Sequence, residues 1–361
     1  MNDEVYHRVA HVLDTLPNGF PASESGVEIK LLKKIFTPEQ ADLFCDMRLS
    51  FETAEQIAIR TGRPLEGLEE MLIAMGDAGQ LFAIQLGEQW FFKMLPWVFG
   101  IYEFQLSRFD RELAELNEEY GPVFVSQFYK SKPQLMQVLP IEEEISLQQE
   151  ALPYERVSAI IEHGQSFRAS DCICKKEQGL VGKPCDRPVQ VCLAIAPVPG
   201  IFEDSPHGRV ITRDEAYELL RQSEESGLVH LTANVQNGHI YICNCCKCCC
   251  GVLRSINELG IPAADVVNSH YYAVINAEEC ISCGVCRDER CQVGAIEETE
   301  NTYRIIPSRC IGCGLCISTC PTSAIHLIHK DPDKREIPPL TEDAWFEEKG
   351  RQRGIDFSRY K

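Results

Sequence analysis

The chain has 361 residues, 44% of them hydrophobic and 25% charged, which suits a soluble chain of two or three domains with real cores. A formal charge of −19, from 35 basic and 54 acidic residues, argues against a nucleic-acid or anionic-membrane surface and is compatible with docking a basic patch on a partner. Nineteen cysteines are far beyond ordinary usage. The acidic start Met1-Asn-Asp-Glu lacks the basic n-region and apolar run of a signal peptide. No stretch reaches the roughly 20 apolar residues of a membrane span. These features predict a cytoplasmic, well-reduced setting and set a disulfide framework aside.

In chain order, residues 1–26 read as a lead-in with a Pro17-Asn-Gly19 turn. From Val27 the pattern turns helical, with Ile29, Leu31, Leu32 and Ile35 on one face, and Thr37-Pro38 opens the next helix. A third helix is expected from Thr53 to Thr61-Gly62, and a fourth from Pro64 with Leu65, Leu68, Met71, Leu72 and Met75 on one side. Leu81-Phe-Ala-Ile, a turn at Gly87 and Trp90-Phe-Phe then read as a two-stranded hairpin. Cys45, inside Leu43-Phe-Cys, reads as a small buried hydrophobe.

Over residues 27–95 this order resembles a winged helix-turn-helix, and residues 27–120 are taken as one unit with the charged helix Ser107–Glu119 that follows. The resemblance implies DNA binding, but Glu66, Glu69 and Glu70 stand where phosphates would need cations. Residues 1–150 carry 12 basic side chains against 25 acidic ones, so scaffolding or partner docking is the favoured reading. The aromatic stretch Trp90–Leu106 reads as core or interface. Residues 121–153, with Pro133, Pro140 and Pro153, read as an inter-domain linker that begins where Gly121-Pro122 ends the helix.

Residues 154–270 form a cysteine-rich unit. A helix from Tyr154 to Glu162 leads into Cys172, Cys174, Cys185 and Cys192. Thr212-Arg-Asp-Glu215 is a capping box that opens a helix to about Glu225. Leu228-Val-His-Leu and His239-Ile-Tyr-Ile are expected to pair across Asn237-Gly238. The second strand empties into Cys243, Cys245, Cys246, Cys248, Cys249 and Cys250, six thiols in eight residues with no packing explanation. A strand-to-helix turn offers N–H donors to an anionic site. Cys172, Cys174, Cys185 and Cys192 read as one spaced ligand set and the block as the remainder. One or two further iron–sulfur clusters are expected, with a zinc knuckle from two Cys-x-Cys pairs as the alternative. His230 and His239 read as half-buried strand residues, and Lys175, Lys176, Lys183 and Lys247 as offsets to site charge.

Residues 271–330 hold two cysteine combs: Cys280, Cys283, Cys286 and Cys291, then Cys310, Cys313, Cys316 and Cys320 followed by Pro321. Three thiols at two-residue gaps gather on one tight loop, as a cubane cluster needs; zinc sites are more often built from two separated pairs. Tyr272-Ala-Val-Ile and Tyr303-Arg-Ile-Ile precede the combs, and Gly294-Ala-Ile296 and Ser323-Ala-Ile325 follow, so the unit is an internal repeat.

This segment resembles the bacterial-type two-cluster [4Fe-4S] ferredoxin. The resemblance implies that Cys280, Cys283, Cys286 and Cys320 hold one cluster and Cys310, Cys313, Cys316 and Cys291 the other. Gly284, Gly312 and Gly314 fit a backbone that passes close to sulfur. The first comb departs from the pattern: Arg287–Arg290 make a four-residue gap, and Gln292 stands in place of proline.

Residues 331–361, with Pro338-Pro339 and Trp345-Phe346, read as a charged tail that packs over a neighbour. No Gly-rich phosphate loop and no hydrolase triad is present. The expected fold class is α+β and multidomain. The expected function is iron–sulfur electron transfer to or from a partner oxidoreductase, with no nucleic acid and no membrane span. The alternatives are a reductase with its own centre in the cysteine block and a redox-sensing regulator.

Overall fold

The structure is a computed structural model and describes residues 3–142, 152–203 and 207–361. Its N-terminal helices are α1 (Glu4–Thr15), α2 (Val27–Ile35), α3 (Pro38–Phe44), α4 (Ala54–Thr61) and α5 (Leu68–Asp77), followed by the hairpin β1 (Leu81–Leu86) and β2 (Gln89–Met94). Thr37 and Thr53 each cap a helix through a reciprocal box with Gln40 and Gln56. The expected lead-in is instead integral: α1 buries Val9 and Leu13, and Leu16 and Phe20 follow them into the core. Helix α5 begins at Leu68, four residues later than expected, and leaves Leu65 and Met71 largely exposed.

The aromatic segment is core. Trp97, Ile101 and Tyr102 are buried as the chain turns into the short α6 (Tyr102–Phe104). Helix α7 (Arg111–Phe128) runs on through Gly121-Pro122 rather than ending there, held by the buried Tyr120, Phe124 and Phe128 on one stripe. Tertiary packing of that stripe outweighs the one lost backbone hydrogen bond.

The expected linker also contributes structure. β3 (Met136–Leu139) is buried at every position, while Glu143, Glu144 and the rest of that segment to Ala151 lie outside the described residues. The remaining elements of the central unit are α8 (Val157–His163), β4 (Ser166–Ser170), α9 (Ile173–Leu180), β5 (Cys192–Ala196), β6 (Arg209–Ile211), α10 (Arg213–Glu225), β7 (Val229–Ala233), β8 (Tyr241–Cys245), α11 (Gly251–Asn257), α12 (Ala263–Val266) and β9 (Val267–Asn268). They form a seven-stranded sheet of order β6-β4-β5-β8-β7-β3-β9, antiparallel except where β3 meets β9. Thr212 and Glu215 make the expected capping box. The β7–β8 hairpin is longer than expected: Leu231 pairs with Cys243, so Asn237-Gly238 lies within a loop from 234 to 240 rather than forming a two-residue turn.

The C-terminal unit has two hairpins, β10 (Tyr271–Ile275) with β13 (Ile325–His329), and β11 (Ile296–Glu298) with β12 (Tyr303–Ile305). Beyond them α13 (Glu342–Arg353) returns to the N-terminal helices. Trp345 Nε1 donates to the Gln134 carbonyl at 2.8 Å, Arg353 reaches the carbonyls of Leu16 and Pro17, and Leu49 N–H donates to the Tyr360 carbonyl at 2.6 Å. Lys349 is fully buried and donates to the carbonyls of Phe128, Ser131 and Pro133, with its Nζ 4.3 Å from the Phe128 ring centroid.

Candidate metal centres

The two combs sit in matching frames. Cys280 N–H donates to Asn276 O and Cys310 N–H to Ile306 O; Asn276 N–H donates to Ala324 O and Ile306 N–H to Ala295 O. The fourth thiols correspond as well, since Ala295 N–H donates to Cys291 Sγ at 3.2 Å and Ala324 N–H to Cys320 Sγ at 3.3 Å. N–H groups aimed at sulfur favour the thiolate form that a cluster requires. Ser282 and Gly312, at equivalent positions, both adopt positive φ. At Gly312 a Cβ would lie 2.4 Å from the Tyr271 carbonyl, so only glycine fits there.

Cys280, Cys283, Cys286 and Cys320 line one small cavity. Burial pushes the Cys316 thiol up, and the charges of Cys313, Cys310, Cys291 and, from the first comb, Cys286 add to it. The ferredoxin resemblance expects these eight thiols as two crossed ligand sets. Burial separates them: Ile281 is 61% exposed and Cys283 is open to solvent, while the equivalent Ile311 is 2% exposed and Cys313 is half-buried. The first set is the outer one and the second the inner.

The four-residue gap of the first comb closes as a single wide turn, with Cys291 N–H donating to Cys286 O; the tighter second comb closes from Cys320 N–H to Ile317 O. The widened turn buries Arg290, whose guanidinium donates to the carbonyls of Leu315, Glu225 and Glu224. Buried Gln292 accepts from Arg187 Nη1 at 2.8 Å and from Lys247 N–H at 3.1 Å. Ile141 N–H donates to the Cys313 carbonyl. The departures from the ferredoxin pattern are thus contacts with the central unit. Sequence reasoning recorded Gln292 as an irregularity and had no signal for its partners.

The ten central thiols divide differently from the expected grouping. Cys185 leaves Cys172, Cys174 and Cys192 and joins Cys246, Cys248 and Cys249, whose four sulfur atoms all lie within 4.8 Å of one another. The other six are neighbours in the order Cys172–Cys174–Cys250–Cys245–Cys243–Cys192, each thiol shifting the pKa of the next. Strand geometry explains the division. Cys243 and Cys245 are two residues apart on β8 and face one side, and Leu193 pairing with Ile242 sets Cys192 beside Cys243. The turn after Cys245 points Cys246, Cys248 and Cys249 the other way, and Cys250 returns as the N-cap of α11. Cys172 is the N-cap of α9, so two helix starts meet the six-thiol site.

A hydrogen bond from Cys192 pulls the Cys243 thiol down to about 5, and one from Cys249 does the same for Cys246. Cys243 and Cys246 are thus the thiols that each network favours as thiolate, the form that binds metal.

Protonated groups line the six-thiol site. Tyr102 Oη donates to Glu177, and Asn117 Nδ2 donates to the other carboxylate oxygen at 2.9 Å. Burial raises Glu177 to about 8 and pushes Glu103 well above the carboxylate range, with Cys174 and Cys243 adding to the Glu103 shift. In the sequence Glu103 stands out only as a charge interrupting the aromatic stretch, and Glu177 in α9 carries no signal. His230 lies fully buried with Nε2 2.9 Å from Glu224 Oε1 and its other nitrogen at Asn244, away from the thiols. Of the four lysines expected to offset site charge, Lys175 acts on Cys246, whereas Lys176 donates to the Leu106 carbonyl and Lys183 pairs with Glu118. Cys45 is buried as expected, which pushes its thiol up to about 11.

The profile of the 4Fe-4S dicluster domain family matches residues 273–327. A subunit of an ion-translocating oxidoreductase complex from Methanosarcina acetivorans is 44% identical over 48 residues, 13% of this chain and 18% of its own. A 7Fe ferredoxin from Hydrogenibacillus schlegelii is 49% identical over 43 residues, 12% of this chain and 53% of its own. The pyruvate synthase subunit PorD of Methanocaldococcus jannaschii is 34% identical over 59 residues, 16% of this chain and 67% of its own. The chain therefore spans about a fifth and about half of the first two relatives. No solved structure matches.

Proposed function

We propose, on the premise that the chain belongs through residues 273–327 to the 4Fe-4S dicluster ferredoxins, that it is an electron-transfer subunit linking a partner oxidoreductase to a second redox site in its own cysteine-rich unit. The clusters, when bound, supply one-electron carriage. Cys280, Cys283, Cys286 and Cys320 are the proposed ligands of one, and Cys310, Cys313, Cys316 and Cys291 of the other. The observation that carries the reading is the asymmetry of the two sets. The outer set opens at Ile281 and Cys283, where a partner can approach, and the inner set backs onto the central unit through Gln292 and Arg290. The six-thiol site is the proposed internal partner. That two relatives are named as subunits of oxidoreductase or synthase assemblies supports a dedicated redox partner. No described helix is long and apolar enough to cross a membrane.

The order of α3, α4, α5, β1 and β2, with Glu52 bridging Phe92 as a third short strand, supports the winged-helix reading of the N-terminal unit. Its nearby arginines are already engaged: Arg60 pairs with Glu52, and Arg63 with Asp42 and Asp46. Partner docking therefore suits this unit better than DNA.

A second reading, a reductase whose own centre is the six-thiol site, is favoured by the acids beside it. Glu103, Glu177 and Tyr102 hold protons next to thiolates, as a reaction that consumes electrons and protons together would need.

The test is anaerobic reduction by a low-potential donor, followed by paramagnetic resonance and visible spectroscopy on the full chain. Reduction of centres in both units is expected, with central-unit reduction slowed several-fold in a Cys313→Ser variant. Unchanged central-unit reduction in that variant overturns the internal link.

A further inference from the structure

We infer that Cys185, Cys246, Cys248 and Cys249 hold a single zinc ion, separate from any iron–sulfur cluster in the chain. Spacing carries the inference. Cys185 Sγ lies 3.9 Å from Cys246 Sγ and 3.5 Å from Cys248 Sγ; Cys248 lies 3.4 Å from Cys246 and 3.7 Å from Cys249. Four sulfurs at zinc–sulfur distances of about 2.3 Å from one ion form a tetrahedron with edges of about 3.8 Å. A cubane sets a core of four irons and four sulfides between its ligands and needs them considerably farther apart. Among the described residues these are the only donors that gather so tightly, and the eight comb cysteines form no such group.

The donor set also fits a closed structural site. Four thiolates fill a tetrahedron and leave no position for substrate. Cys185 sits on the loop between α9 and β5, most of whose residues from 182 to 190 are exposed. Such a loop has little apolar contact to position it, and a shared ion ties it to the 246–249 turn. Three ligands come from one turn, whose N–H at Lys247 is held by Gln292. The ion would fix the turn whose flanking residues, Cys245 and Cys250, belong to the six-thiol site. It is thus a staple for that site rather than part of it.

The test is metal and sulfide analysis of the full chain, purified anaerobically, beside Cys248→Ser and Cys185→Ser variants. Cys248 is solvent-exposed, so its replacement leaves the core packing intact. The expected result is about one zinc per chain in the parent, most of it lost in both variants, with iron and sulfide unchanged. Sulfur-only coordination at the zinc X-ray absorption edge is expected as well. Absence of zinc from the parent overturns the assignment, as does loss of iron and sulfide in the variants. Zinc retained by both variants overturns it too. None of these results depends on the redox link to the ferredoxin unit.

Discussion

The side-chain oxygen of Gln292 lies 3.1 Å from the backbone nitrogen of Lys247. A residue of the ferredoxin repeat thereby holds the turn that presents the central cysteines. Proline, the residue that the two-cluster ferredoxin pattern has here, would offer no such acceptor. In a Gln292→Leu variant the Lys247 N–H and the Arg187 guanidinium lose their partner. Destabilisation of about 1–3 kcal/mol is expected. Hydrogen exchange at the Lys247 amide should rise, while the spectrum of the outer comb stays as in the parent.

Exposure orders the loss of iron. Cys283 is open to solvent, whereas Cys316 is buried. Oxidation in the presence of a chelator should strip the outer comb first, in two resolved phases of iron release. Cys313→Ser should remove about four irons and abolish the slower phase, leaving central-unit metal in place. A single phase would show that the combs are equally accessible.

His239 gives a pH dependence. Burial lowers its pKa to about 4, against an ordinary value of 6.5, and its Nε2 is buried without a partner. The unfolded chain therefore binds a proton between these values that the folded chain does not. Stability is complete above about pH 6.5 and falls as pH drops towards 4, by at most about 3 kcal/mol. His239→Gln should flatten the fall in melting temperature over that window relative to the parent.

Lys349 fixes the C-terminal helix. Its three carbonyl acceptors match the three N–H groups of an ammonium, although burial pulls its pKa down to about 7. Lys349→Met keeps the stem but leaves those carbonyls in the core without donors, at about 1–3 kcal/mol. Limited proteolysis should then cut the chain after Pro339 sooner than in the parent, with the cluster spectra unchanged.

The combs were legible because their chemistry is local: three thiols in seven residues declare a cluster loop, and the repeat around them declares the fold. The capping box at Thr212 and the helix starts at Thr37 and Thr53 were legible for the same reason, since each rests on residues adjacent in the chain. What escaped was set by distant contact. Pro122 reads as a stop, yet α7 continues because Tyr120, Phe124 and Phe128 bury together. β3 looked like linker because its partners, β7 and β9, lie about 90 and 130 residues later. Cys185 was grouped with its neighbours along the chain, whereas its sulfur meets a turn some 60 residues away.

The strand and turn from Cys243 to Cys250 divide their thiols between two sites, Cys243, Cys245 and Cys250 to one and Cys246, Cys248 and Cys249 to the other. Their addresses are written in register, not in composition. Exchanging Lys247, which is exposed, changes no address. Deleting it would rotate every later thiol towards the wrong neighbour, so this stretch tolerates a change of letter far better than a change of length.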